Sequence, residues 1–338
     1  MTVDFTLTDE QQLLTETAVA LFANECPPSL VRSCIDDPAA SDELWRRHLS
    51  GWVELAAGDV VDLTFLLIEA GRAVAPGVFV PTTLAALLLD AVGHPDAAAV
   101  VSGSVTATIA MAGDSGEWVP NDSVTKTHVP EADRVDRIVV VGGAPGAPTI
   151  AVIEPGDAVL RNFDQMDLLR RQFEVSTVSA GGNVGVAVDP AAFERGVQRC
   201  VVALSAELIG VARWCLDTAV AYSKERVQFG RPIGSFQGLQ WMMVDAALDL
   251  ERAAAAVSYA AMCVDAGDPD RPRAVHVAKA EAGLAARHTA RTGTQVLGGI
   301  GYTWEHDMHL HLRRAFAGDA MFGQSSWHHD RLAELIFD

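Results

Sequence analysis

Hydrophobic side chains recur with helical spacing through residues 8–92. Thr8 and Gln11 form a capping-box pattern in front of an amphipathic segment, and the prolines of Cys26–Pro28 predict its end. Further helices are predicted at 43–55, 60–74 and 82–91. The first part of the chain is therefore expected to be helical.

The pattern changes between residues 100 and 188, where Val, Thr, Gly and Pro dominate. Apolar and polar residues alternate there as they do in half-buried strands. The alternating runs are 105–109, 137–141 and 149–153. Glycines within 142–146 predict a turn between the last two runs, so this stretch is expected to be a small β-domain.

Helical spacing returns from Pro190 onward. The helix predicted at 191–227 is apolar nearly all round, which favours burial in a bundle. Breaks at Gly230–Pro232 and Asp268–Asp270 separate it from the helices that follow. These are predicted at 236–266, 273–296, 306–317 and from Ser326 onward. The order predicts a mainly α fold with an N-terminal helical domain (1–99), a small middle β-domain (100–189) and a C-terminal helical bundle (190–338).

The chain of 338 residues is strongly acidic, with 25 Lys and Arg against 44 Asp and Glu and a formal net charge of −19. A field of that sign excludes general electrostatic binding of nucleic acid. The acidity is concentrated in residues 1–190, which hold 27 acidic and 10 basic residues, whereas residues 191–338 hold 17 and 15. The C-terminal part is therefore the better place for an anionic ligand.

The cysteines are odd in number and none form a C-x-x-C pair, which argues against a disulfide framework and a structural zinc site. They are Cys26, Cys34, Cys200, Cys215 and Cys263. This usage predicts a cytoplasmic protein, and neither a signal peptide nor a membrane span is predicted. A histidine group lacks the carboxylate or cysteine that would complete a familiar metal set, so no metal site is predicted. Its members are His306, His309, His311, His328 and His329.

The segment Tyr222–Gln237 joins two predicted long helices and concentrates arginines, amides and aromatic rings. Helix ends expose backbone N–H groups, and arginine offers phosphate a planar fork of donors. The segment therefore suits an anionic ligand. A structural interpretation fits the same residues, with Arg226 capping a helix and Phe229 anchoring a core, and composition leaves both open.

A second segment, Gln295–Tyr302, places adjacent glycines directly after a predicted helix. Glycine lets a ligand approach the backbone closely, but it also ends helices in the absence of any ligand. Neither segment is specific by itself. Their order and spacing together are more informative.

The two segments together resemble the acyl-CoA dehydrogenase family, as do Thr8–Gln12 and Glu69–Arg72 near the N-terminus. The resemblance covers the whole chain and implies an N-terminal helical domain, a small β-domain and a C-terminal four-helix bundle. It also implies that FAD binds across a subunit interface, with contacts given to the flavin of a neighbouring chain. The implied contacts are Arg226, Gln228, Phe229, Ile233, Phe236, Gln295, Val296 and Gly299.

Other stretches depart from the family. Residues 109–116 stand where the family carries a Thr-Glu-Pro and Gly-Ser-Asp motif that cradles the flavin ring. The family's two positions for the catalytic glutamate fall on Gly323 and Cys200, and neither residue is a carboxylate base. Glu207 lies seven residues after Cys200, on the same face of the predicted helix. We interpret it as a buried structural carboxylate, with a displaced base as the alternative.

The resemblance therefore implies a chain that lends flavin contacts but carries no catalytic residue of its own. It is closest in pattern to the small β-subunit of actinobacterial α2β2 dehydrogenases of steroid side chains, with a larger catalytic partner subunit. The substrate would be an acyl-CoA at the shared site, and the electron acceptor an electron-transfer flavoprotein or a similar protein. The alternatives are a homomeric dehydrogenase that uses Glu207, and a flavin-free scaffold.

Overall fold

The computed structural model describes residues 6–114, 116–177 and 185–337. Helices dominate these ranges, and strands lie between Ala107 and Ala187 and in one two-residue pair after Glu225. This arrangement confirms the predicted mainly α fold with a small β region. Among the described residues, no helix is long and apolar enough to cross a membrane.

The helices differ widely in length, and the longest lie in the C-terminal half. They are α1 (Asp9–Glu25), α2 (Pro28–Asp36), α3 (Asp42–Leu44), α4 (Val60–Arg72), α5 (Phe79–Ala91), α6 (Ala97–Val101), α7 (Pro190–Glu225), α8 (Gln237–Asp265), α9 (Arg271–Leu297), α10 (Met308–Ala320) and α11 (Ser325–Phe337). The strands are short. They are β1 (Ala107–Ala110), β2 (Thr125–Pro130), β3 (Arg137–Ala144), β4 (Ala147–Ile153), β5 (Ala158–Asn162), β6 (Gln172–Thr177), β7 (Val186–Ala187), β8 (Val227–Gln228) and β9 (Arg231–Pro232).

Two small sheets form the β region. Strands β1, β3, β4 and β7 make one sheet in that order, and β2, β6 and β5 make the other. Strand β1 runs parallel to β3, whereas β3 and β4 form an antiparallel hairpin. One apolar cluster draws side chains from both sheets, including Val129 of β2, Ile138 of β3 and Phe173 of β6. Burial of this shared cluster holds the two sheets together.

The chain divides into two compact units. Unit 1 comprises Met1–Pro28, Thr64–Ala75 and Leu204–Asp338, and unit 2 comprises Ser29–Leu63 and Pro76–Ala203. Unit 1 contains α1, α8 to α11 and the larger parts of α4 and α7, whereas unit 2 contains both sheets. The division into domains at 99/100 and 189/190 stays a prediction.

The hydrophobic pattern located the long helices well. The helices predicted at 191–227, 236–266 and 273–296 correspond to α7, α8 and α9. The predicted capping box is confirmed, because Thr8 Oγ1 accepts from Gln11 N–H and Gln11 Oε1 accepts from Thr8 N–H, each over 3.2 Å. Such caps satisfy helix-end N–H groups that have no other partner.

Some local predictions differ from the structure in detail. The stretch predicted as a helix at 43–55 is helical from Asp42 to Ala57, but only α3 is an α-helix, and a π-helix (Trp45–Leu49) and a 3-10 helix (Ser50–Ala57) follow it. The helix end predicted at Cys26–Pro28 is confirmed, because α1 ends at Glu25 with Cys26 as its C-cap, and Pro28 begins α2, where its missing N–H needs no partner. The turn predicted at 142–146 is shorter, since Gly142 and Gly143 pair within β3. Strands β2, β5 and β6 were not predicted, and the pairing of β2 with β6 joins residues more than 40 positions apart.

Helices α4 and α7 approach very closely within unit 1. A Cβ on Gly210 would lie 1.8 Å from the carbonyl oxygen of Ile68, and a Cβ on Gly71 would lie 2.0 Å from that of Glu207. Only glycine fits at such a contact, because any side chain would displace the facing backbone. This crossing places Glu207 in the core of unit 1.

Candidate functional site

A two-residue hairpin joins α7 to α8 at the centre of the first predicted segment. Strands β8 and β9 pair Gln228 with Arg231, and the central residues Phe229 and Gly230 have φ values of +52° and +81°. Two positive φ values in succession define a type I′ turn. The N–H of Ile233 donates to the carbonyl oxygen of Arg226 over 2.8 Å and closes the loop at its base.

Phe229 holds an unfavourable backbone conformation without being buried. A positive φ costs a bulky residue about 1–2 kcal/mol, and strained residues of this kind concentrate at functional sites. Its side chain is nevertheless 92% exposed. Its ring meets that of Phe236 edge-on at 6.1 Å, and the Arg231 guanidinium lies 4.1 Å from the Phe236 ring centroid. The turn therefore presents a preformed aromatic and cationic surface to solvent.

Arg226 directly follows the last residue of α7, and its side chain does not serve a charge of its own chain. The side chains of Arg226 and Gln228 are exposed. Within the described part of the chain, no carboxylate pairs with the guanidinium of Arg226. In a protein of net charge −19, an arginine without a carboxylate partner is well suited to an external anion.

The second predicted segment lies beside the first. Ile233 and Val296 belong to one apolar cluster, together with Ala219 and Met243. Val296 is buried and Ile233 half-buried, so their side chains hold the two segments together. The exposed residues on either side, Gln295 and Gly299, remain available at the surface.

The end of α9 leaves space for a ligand at one glycine. Gly298 ends the helix with φ +65°, a conformation that glycine adopts without strain. A Cβ built on Gly299 would have no atom within 4 Å, so this face of the loop is open. Guanidinium and amide donors beside an open glycine backbone fit a pyrophosphate, and the neighbouring rings and Ile233 fit an adenosine.

Gly323 leaves no room for a carboxylate. It has φ +99°, and a Cβ there would lie 2.6 Å from a ring carbon of Trp327 and 3.1 Å from His328 Nε2. Its carbonyl oxygen accepts from the buried Lys279 ammonium over 2.9 Å. Side chains of this chain therefore occupy the space that a side chain at residue 323 would need.

Cys200 is also unable to act as a base. It is fully buried in unit 2, as is Cys215 in unit 1. Its thiol donates to the carbonyl oxygen of Leu84 over 3.2 Å. Burial raises the pKa of the Cys200 thiol to about 12, so the sulfur stays protonated near neutral pH.

Glu207 forms a buried ion pair. Its Oε1 lies 2.8 Å from Nη1 of Arg314, and both side chains are almost fully buried. The guanidinium also faces the carbonyl oxygen of Ala75 at 3.4 Å. A carboxylate held this way within unit 1 neutralises a buried cation, which supports its interpretation as a structural carboxylate.

Comparisons with known proteins agree on one family. Residues 194–337 match the family model described as Acyl-CoA dehydrogenase, C-terminal domain. The acyl-CoA dehydrogenase IpdE2 of Mycobacterium tuberculosis is 34% identical to this chain over 322 residues, which cover 91% of this chain and 91% of that protein. The chain belongs to the acyl-CoA dehydrogenase family.

Solved structures share the dehydrogenase fold over nearly the whole chain. The ChsE4-ChsE5 complex from Mycobacterium tuberculosis superposes with a TM-score of 0.88 at 22% identity and covers 99% of this chain and 100% of that one. A Tcur3481-Tcur3483 steroid ACAD variant gives a TM-score of 0.84 at 26% identity and 98% coverage of each chain.

Two backbone carbonyl groups of the segment 109–116 accept hydrogen bonds from residues that follow it in the chain. Asn121 Nδ2 donates to the carbonyl oxygens of Met111 and Val119, over 3.0 and 2.8 Å. Thr127 Oγ1 donates to that of Gly113 over 3.0 Å. The buried Lys126 ammonium in turn donates to Asn121 O and Oδ1. Ser115 lies outside the described residues. The carbonyl groups of Met111 and Gly113 therefore already have hydrogen-bond partners within the chain.

Sequence reasoning assigned no role to Arg231 or Arg314. The signal for Arg314 was weak but present, because Glu207 and Arg314 each interrupt an apolar helix face with opposite charges. Nothing in the sequence indicated that Arg231 stacks on Phe236, since that contact depends on the turn. No group of three or more His, Cys, Asp or Glu suited to a metal occurs in the described ranges.

We expect Gly323→Glu to produce no dehydrogenase activity in this chain. The new side chain would meet Trp327 and force a left-handed backbone, at a cost of about 2–4 kcal/mol of unfolding free energy. Urea unfolding and acyl-CoA-dependent reduction of a dye measure the two effects. Gly267→Glu is the control, because its φ is +62° but no atom lies within 4 Å of its Cβ. Activity gained by Gly323→Glu would contradict the expectation.

Histidines of unit 1 are expected to make its stability depend on pH. Burial lowers the pKa of His311 to about 4, that of His276 to about 4 and that of His328 to about 2. Since the unfolded pKa is about 6.5, the unfolded chain binds more protons below that value. The contribution of these neutral histidines to the free energy of unfolding is fully present above about pH 6.5. It is lost as the pH falls towards 4, by up to about 1.4 kcal/mol per pH unit for each histidine.

Chemical unfolding between about pH 7 and about pH 5 measures this slope. The control is His311→Phe, which retains a ring that can stack on Trp214, as His311 does at 3.5 Å. In this variant the free energy of unfolding is expected to depend less steeply on pH, by an amount that corresponds to up to one bound proton. An unchanged slope would show that His311 titrates normally.

Proposed function

We propose that this chain is a subunit of an FAD-dependent acyl-CoA dehydrogenase that gives flavin contacts to a partner chain and has no catalytic base of its own. The observation that carries this proposal is the exposed surface at the α7–α8 hairpin. Its arginines have no carboxylate partners among the described residues, and its strained Phe229 is 92% exposed. A surface that combines unpaired arginines with a strained, exposed aromatic residue is typical of a binding site.

The residues present fit the adenosine diphosphate half of a flavin. Arg226, Gln228 and Gln295 would donate to the pyrophosphate, and the open backbone of Gly299 would let it approach. Phe229, Ile233 and Phe236 would contact the adenosine, with Val296 packed against Ile233. When bound, FAD supplies the acceptor for the hydride that leaves the β carbon of the acyl thioester.

The proton from the α carbon requires a carboxylate base. Gly323 and Cys200 supply none, so we assign the base to the partner chain. The segment of residues 109–116 supports the same assignment, because its carbonyl groups at Met111 and Gly113 accept hydrogen bonds from Asn121 and Thr127. Each complete site would then combine the flavin clamp of this chain with the ring pocket and base of its partner.

We assign the partner to the same family, as a larger catalytic subunit in an α2β2 assembly. The solved structures named above support this, since one is a ChsE4-ChsE5 complex and the other a Tcur3481-Tcur3483 steroid ACAD. The proposed substrate is an acyl-CoA, and the steroid name of the second structure supports a steroid side-chain CoA ester. The proposed electron acceptor is an electron-transfer flavoprotein or a protein of that kind.

The homomeric alternative requires Glu207 as the base. Its bond to Arg314 disfavours that role, because moving the carboxylate to a substrate would leave a fully buried guanidinium without its charge partner. The scaffold alternative leaves the exposed, unpaired Arg226 without a function.

Flavin content per chain tests the proposal. We expect the chain purified alone to be colourless, and the complex with its partner to contain half a flavin per chain. Absorbance of released FAD against protein mass measures this ratio. One flavin per chain on the protein alone, bleached by an acyl-CoA, would overturn the proposal and favour the homomeric alternative.

A further inference from the structure

A cavity of about 380 Å³ lies against the C-terminal half of α9, beside the flavin clamp. That volume is within the range of small-molecule sites. Gln295, a residue of the proposed clamp, forms part of the cavity wall, and Met242, Tyr302 and Leu312 supply apolar surface. His288 and Arg291 extend the wall along α9, towards the N-terminus of that helix. The cavity therefore continues the clamp along α9.

Among the described residues of the cavity wall, Arg291 carries the permanent positive charge. It precedes Gln295 by four residues, so the two side chains lie one turn apart on the same face of α9, along about 6 Å of helix. Arg291 is exposed, and its guanidinium lies 4.9 Å from the centroid of the Phe316 ring of α10. An aromatic ring restrains a guanidinium while the N–H donors in the guanidinium plane stay available. Arg291 therefore presents oriented donors to the cavity.

The charges around the cavity leave Arg291 available to a ligand. Across the ranges that the structure describes, no carboxylate pairs with its guanidinium, and none of the described residues of the wall is acidic. Asp249 is already engaged, because its carboxylate lies 2.7 Å from Nδ1 of His288 and also accepts from Arg252 over 3.1 Å. In a chain of net charge −19, an unpaired guanidinium on a cavity wall is suited to an external anion.

The chemistry of FAD indicates which anion this is. Each phosphate of its pyrophosphate group carries a negative charge. The clamp as described provides Arg226 for that group, whereas the guanidinium of Arg231 stacks on the Phe236 ring. A second guanidinium would balance the second phosphate. Arg291 has the required properties, because it is exposed, has no carboxylate partner in the described ranges and shares a cavity wall with Gln295.

We propose that Arg291 is a second phosphate-binding arginine for the FAD held at the clamp, with Arg226 and Gln295 donating to the same pyrophosphate. This inference rests on the proposed function, because it takes FAD to be the anion that the clamp binds. It adds a residue that the family resemblance does not assign, since no implied flavin contact lies between Phe236 and Gln295. The cofactor would then be gripped from α9 as well as from the hairpin.

The experiment uses the flavin-stripped complex of this chain with its partner, and FAD itself as the probe. We expect Arg291→Met to raise the dissociation constant of FAD about 10- to 100-fold, because a charged hydrogen bond to phosphate is lost. Methionine keeps an unbranched side chain that can pack on Phe316. Arg273→Met is the matched control on the same helix, since Arg273 is exposed but pairs with Asp270, and we expect less than about a threefold change.

Phosphorus NMR of the bound FAD separates a direct contact from an indirect effect. If Arg291 binds the pyrophosphate, Arg291→Met shifts the resonance of at least one of its phosphorus atoms, whereas Arg273→Met leaves both at their wild-type positions. Arg291→Lys keeps the charge without the planar fork, so we expect a rise of about three- to tenfold in the dissociation constant and again a shifted resonance. The lysine variant decides the matter if the methionine variant does not assemble.

Two outcomes would overturn the inference. The first is an FAD affinity in Arg291→Met within about threefold of the wild type. The second is a weakened affinity with both phosphorus resonances unchanged, which would show that Arg291 acts without touching the pyrophosphate. Failure of the proposed function is distinguishable, because Arg226→Met would then leave FAD affinity unchanged as well. A loss of affinity in Arg226→Met alone would keep the proposed function and remove Arg291 from the clamp.

Discussion

Replacing Glu207 with alanine is expected to lower the free energy of unfolding by about 3–5 kcal/mol, because it leaves the Arg314 guanidinium buried without its charge partner. Urea unfolding of the wild type and the variant measures the difference. Glu334→Ala is the control, since Glu334 pairs with Arg331 at the exposed surface of α11 and contributes at most about 1 kcal/mol.

A double variant separates the charge from the packing. Glu207→Ala combined with Arg314→Met removes both charges, so we expect it to recover a substantial part of the lost stability. A single-variant loss below about 1 kcal/mol would show that the pair is dispensable.

Glu207→Gln tests the chemical role of the same residue. Under the proposed function, turnover per folded complex is expected to remain near that of the wild type, because the base comes from the partner. Loss of turnover with flavin still bound would identify Glu207 as the base.

Replacing Arg226 with methionine is expected to weaken flavin binding by the assembled complex about 10- to 100-fold. A charged hydrogen bond to phosphate contributes about 1.5–3 kcal/mol, which corresponds to that range. Titrating FAD into the flavin-stripped complex, followed by flavin fluorescence, gives the dissociation constant.

Arg273→Met is the matched control for this variant. Arg273 is also exposed, but it pairs with Asp270 at the other end of α9. We expect its flavin affinity to match the wild type. Equal flavin affinity in the Arg226 and Arg273 variants would contradict the clamp assignment.

The sequence located the helices because their signals are local. The capping pattern at Thr8 and the apolar periodicity of α7, α8 and α9 depend on residues within a few turns of one another. The β region was predicted as a region, but only the β1, β3 and β4 runs were identified. Strand β6, for example, lies between β5, which directly precedes it along the chain, and β2, which lies more than 40 residues before it and is reached only in the folded sheet.

The sequence also determined the family and the residues that we propose as the clamp, since a motif is a property of residue order. Tertiary structure alone decided how those residues are placed in this chain. Phe229 has an exposed ring on a strained backbone because the hairpin sets its φ, whereas Val296 is buried in the apolar cluster that includes Ile233. Trp327 fills the space that a side chain on Gly323 would need, and Arg314 bonds to a carboxylate 107 residues away. Contacts between distant parts of a chain follow from packing and charge in three dimensions, and no local pattern encodes them.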